Sequence, residues 1–92
     1  MTRLEVVTMA VSFARDILPL FRPIDIAHMK TPGVLLDSYA YMSDAANNHA
    51  NAQRVHDSLT GAITPRMPPG GPYWPQPQLD LFAKWMSDGY QP

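Results

Sequence analysis

The sequence contains no cysteine, so no disulfide can staple it and no thiolate can hold a metal. That excludes the small secreted disulfide scaffolds and the structural zinc modules. Charge is sparse and balanced: seven Lys and Arg face eight Asp and Glu, a formal charge of −1. With no basic stripe to displace counterions from a phosphate backbone, a nucleic-acid partner is not expected. Long apolar runs are also missing. The longest, Val6 to Ala14, falls far short of the ~20 residues that cross a bilayer. Glu5 interrupts what would be the basic start of a signal peptide. The chain is therefore expected to be cytoplasmic, with no membrane partner.

The usual catalytic signatures are absent as well. No serine sits in a Gly-x-Ser-x-Gly elbow, no glycine-rich loop opens a helix, and the carboxylates occur singly near expected caps and helix faces. The chain is not expected to be an enzyme. His49 and His56 lie seven apart, too far along one helix to share a metal, and read as surface histidines.

What is present is apolar material and proline. Apolar residues make up 46% of the 92 and charged ones 16%, enough to form one small core and too few charges for a disordered chain. Ten prolines are about twice the ~5% of an average chain. Residues 1–11 are expected to form an apolar N-terminal arm, with Val6 and Val7 available to a partner. That arm, with Met9 and Val11, could also be buried in a homodimer. Residues 12–92 are expected to form the folded domain.

Asp16 is placed as the cap of a short first helix containing Ile17, Pro19 and Phe21, ended or restarted by Pro23. A second helical turn is expected over residues 24–30, stopped by Thr31-Pro32-Gly33. Asp37 or Ser38 would cap another turn carrying Tyr39 and Met42. From Ser43 or Asp44 to Leu59 the absence of Gly and Pro predicts the longest helix, closed by Gly61. Its inward face would be Ala45, Ala52, Val55 and Leu59, and its wet face Asn47, Arg54 and Asp57. The run from Pro65 to Pro77 reads as an ordered loop, because Met67, Tyr73 and Trp74 are costly apolar surface for a linker. A last helix from about Pro77 to Asp88 would bury Leu79, Leu81, Phe82, Trp85 and Met86. The fold class is all-α, with three to five short helices and an ordered proline-rich loop.

The order Phe13-x-x-Asp16-Ile17-x-Pro19-Leu20-Phe21, a His in a turn, a small-residue helix ending at Leu59 and Gly61, Met67-Pro68-Pro69, and Phe82-x-x-Trp85-x-x-x-Gly89 resembles the small bacterial cytochrome c domain. In that family Cys-x-x-Cys-His attaches haem and a later Met supplies the second axial bond. The resemblance places His28 and Met67 at the two ligand positions. It places Ile24 and Ala27 where the attaching cysteines stand, so both thioether anchors are missing.

The resemblance thus implies a haem-free cytochrome c-like domain without a cofactor. In that state the vacated space would be filled by Ile24, Met29, Leu35, Leu36, Tyr39, Met42 and Trp74. The expected role is a non-enzymatic accessory or interaction module for a larger oxidoreductase or biosynthetic enzyme. Met67, Tyr73, Trp74, Val6 and Val7 would be the partner-binding residues. Trp74 could instead fold back onto the last helix. The alternative is a noncovalent haem-binding electron-transfer protein with His28 and Met67 as axial ligands.

Overall fold

The computed structural model describes residues 10–68 and 70–92. Val6, Val7 and Met9 of the expected arm lie outside them. Among the described residues the chain is helical, with no strand beyond one isolated bridge between Ser12 and Gln91. A five-residue π-helical turn, Phe13–Ile17, runs straight into a 3₁₀ turn, Leu18–Leu20. Four α-helices follow: α1 Pro23–Lys30, α2 Tyr39–Met42, α3 Ala46–Thr60 and α4 Gln76–Ser87.

The first segment starts earlier than the sequence indicates. Ser12, not Asp16, is its cap: Ser12 Oγ accepts from Arg15 N–H, while Asp16 accepts from Ser12 N–H in return. Such reciprocal capping satisfies two backbone donors that a helix start leaves orphaned. Pro23 restarts the chain as the first residue of α1, where a missing N–H costs nothing. Ser38 caps α2 through Tyr41 N–H.

The longest helix departs from the simple reading. Asn47, Asn48 and His49 all take left-handed backbone angles, with φ of 56°, 59° and 59°. Asn tolerates that region better than other side-chain-bearing residues, which is why the excursion falls on an Asn pair. Regular α geometry resumes beyond it and ends at Gly61, whose φ of 87° suits glycine at a left-handed terminus. Ala52, Val55, Leu59 and also Ser58 face inward. Ala45 is exposed, because it precedes the left-handed turn.

The core gathers around aromatic rings. Trp85 is 0% exposed and meets Phe13, Phe82 and Tyr90 at centroid distances of 5.6, 5.5 and 5.2 Å, within the range of favourable tilted and edge contacts. Thus α4 packs on the first helical segment and on α3. Leu79, Phe82 and Trp85 are the buried face of α4; Leu81 and Met86 are only half-buried. Leu36, Met42 and Trp74 fill the interior as expected, but Ile24 is 68% exposed and Tyr39 37% exposed. Tyr39 instead donates from its hydroxyl to Tyr90 O at 2.6 Å, a polar end that favours a half-wet position. Val34, which the sequence did not single out, takes an interior place.

Residues 11–13 and 88–92 clasp one another. Val11 is buried in the core and its N–H donates to Asp88 Oδ2 at 2.9 Å, so it belongs to the domain and is not free to be the contact of a detachable arm. Three carboxylates, Asp88 in this clasp and Asp16 and Asp25 in local helix-start contacts, lie below the usual carboxylate range. Arg22 lowers Asp25, Arg15 and then Ser12 N–H lower Asp16, and Val11 N–H and then Lys84 lower Asp88. A folded-state pKa below the unfolded value contributes stability that is complete above the unfolded pKa and is lost as pH falls through the folded one. The midpoint of thermal unfolding should therefore hold steady down to about pH 5 and then fall. Replacing Asp88 by Asn should flatten the fall, as circular dichroism melts at stepped pH will show.

Candidate functional site

Two recesses meet the surface beside the proline loop, and they share no residue. The loop follows α3. Met67 is buried and its N–H donates to Ser58 O at 2.9 Å, pinning the loop to the helix. Arg66 runs back across the end of α3. A Cβ at Gly61 would stand 3.0 Å from Arg66 Cδ, so glycine here permits both the left-handed turn and the close approach. The Arg66 guanidinium lies over the Tyr73 ring, 4.2 Å from its centre, a cation–π arrangement.

Tyr73 and Trp74 are adjacent and go opposite ways. Trp74 is 7% exposed and packs on Phe21 and Phe82 at 5.3 and 6.3 Å, so it folds back onto α4. Tyr73 remains 48% exposed. Of the loop residues expected to contact a partner, Met67 and Trp74 are thus interior supports, and Tyr73 alone offers a large surface. Its flank is a cleft of about 250 Å³ with Pro68, Pro72 and Pro75 on the loop side and Leu20, Arg22 and Asp25 on the other. Asp25 is 5% exposed and accepts from Arg22 Nε, Nη2 and backbone N–H, which neutralises the charge at the cleft floor.

The second recess is a cavity of about 210 Å³ bounded by α1, α3 and the chain from Ile63 to Met67. His28 and Met67 both line it, so the fold brings together the two residues the cytochrome resemblance paired. Their settings differ: Met67 is buried and His28 is exposed. The volume lies below the ~300–1,000 Å³ of sites for drug-sized ligands, and haem is larger than most of those. The cavity does not fit a macrocycle between these two side chains. Arg54, Ser58 and Thr64 also line it. Sequence reading assigned Arg54 to a solvated face and had no signal that three separate elements would converge.

Both remaining histidines leave the surface role expected of them. His49 stacks on Tyr90 with centroids 3.8 Å apart and planes 4° apart, and His56 stacks on Phe82 at 5.7 Å. The left-handed turn breaks the helical register that would have put them on one face. Among the described residues, no group of three or more His, Asp or Glu could hold a metal ion. No helix among them is long and apolar enough to cross a membrane. No protein-family model, curated protein or solved structure matches the chain.

Proposed function

We propose that this protein is a non-enzymatic interaction module of haem-free cytochrome c-like build, which docks a larger oxidoreductase or biosynthetic enzyme through Tyr73 and its proline cleft. The observation that carries the reading is the contrast between Tyr73 and Trp74. One aromatic anchors the loop in the core, while its neighbour is held outward by Arg66 with half its surface in water. Prolines on both sides restrict the loop before any partner arrives, which lowers the entropy lost on docking. Tyrosine in such a place is a frequent centre of binding energy. The packing of α4 on the first helical segment, through Trp85 and Phe13, supports the cytochrome c-like build.

The tagged full chain should retain one host protein in near-stoichiometric amount. Tyr73→Ala should lose at least about tenfold in affinity for it, as a truncated hot spot does. Tyr73→Phe keeps the ring over Arg66 and should retain most binding. Equal retention by wild type and Tyr73→Ala, with both chains folded by circular dichroism, would rule the reading out.

A further inference from the structure

We propose that the cavity between α1, α3 and the loop is a binding site for a small apolar carboxylic acid, of about the size of benzoate. Its volume of about 210 Å³ exceeds the ~150 Å³ that accepts benzene in an engineered protein cavity. One ring with a short polar head therefore fits.

Burial is graded across the site. Val34, Val55, Ser58 and Met67 are buried, whereas His28, Arg54 and Ile63 are exposed, and all of them line the same cavity. The gradient sets the pose: an apolar body inward and a polar head at the mouth. Ile63, one of the few large apolar side chains left exposed, would be covered by such a body.

The sign of the head follows from the charges. No carboxylate lines the cavity, and Arg54 does. Arg54 takes no part in the ion pairs among the described residues, which join Arg15 to Asp16, Arg22 to Asp25 and Lys84 to Asp88. Its guanidinium can engage a carboxylate with two parallel hydrogen bonds. Asp25 shares a smaller cleft with His28. Its oxygens are already engaged by Arg22. Asp57, on α3, accepts from Gln53 and does not line the cavity.

Titration of the full chain with benzoate, benzyl alcohol and benzylammonium, followed by NMR, tests the site. Benzoate should saturably shift the methyl signals of Val34, Val55 and Met67, and benzyl alcohol should bind about tenfold or more weakly for want of the charged hydrogen bond. Arg54 is exposed, so Arg54→Gln should fold normally and reduce benzoate to the level of benzyl alcohol. Equal binding of benzoate and benzyl alcohol, preference for benzylammonium, or benzoate shifts confined to the Tyr73 cleft would each overturn the proposal. Absence of any saturable shift would do so too. None of these bears on docking through Tyr73, which is read by a separate variant.

Discussion

Replacing Trp85 by alanine is expected to destabilise the domain by about 3–5 kcal/mol, the usual cost of removing a large aromatic from a packed core. The side chain is fully buried and joins three elements: Phe13 of the first segment, Phe82 of its own helix and Tyr90 of the tail. Its indole N–H also donates to Gln91 O at 2.8 Å. Truncation leaves a cavity that these rings cannot close and removes one of the two donors to Gln91 O, leaving only Phe13 N–H. Domains of this size are stable by roughly 5–15 kcal/mol in all, so the variant should lose much of its cooperative unfolding transition. Trp85→Phe keeps most of the volume and should lose less. Urea denaturation followed by far-UV circular dichroism measures both, and a loss below ~1 kcal/mol for the alanine variant would mean that this cluster is not the centre of the core.

Removing residues 90–92 should have an effect of similar size, through polar groups rather than volume. Four donors use this short tail. Phe13 N–H and Trp85 Nε1 both reach Gln91 O, Ser12 Oγ reaches Pro92 O, and Tyr39 Oη reaches Tyr90 O. Phe13 and Trp85 are buried, so their N–H groups would be left without partners at about 1–3 kcal/mol each. Loss of the Tyr90 ring also uncovers His49 and one edge of Trp85. The truncated chain should unfold at markedly lower urea, with amide hydrogen exchange accelerated first at residues 11–17 and 39–42, the segments the tail ties down. Uniform acceleration with no preference for those segments would contradict the clasp.

What could be read without coordinates is what short-range chemistry decides. Pro23 begins α1, Ser38 caps α2 and Gly61 ends α3 because each is a local backbone preference that tertiary contacts do not oppose. The faces of α3 and α4 followed from helical periodicity beyond the left-handed turn. That turn was not legible, since Asn47-Asn48-His49 contains no residue that forbids a helix and the stacking of His49 on Tyr90 comes from the far end of the chain. Ile24, which the cytochrome resemblance implied as a filler of vacated haem space, lies exposed on α1 beside Arg22 and His28. The candidate sites divide in the same way. Tyr73 stood out because an aromatic inside a proline run is costly unless it is used. Arg54, Ser58 and Thr64 carried no signal, as their meaning arises only when α3 and the loop meet α1.

Docking through the exposed tyrosine is most directly tested by putting a photo-crosslinker in its place. The full chain carrying p-benzoylphenylalanine at position 73, irradiated in the native host, should give one discrete higher-mass adduct. The same group at the exposed Ala83 on α4 should give none. No adduct from position 73, or the same adducts from both positions, would contradict the account.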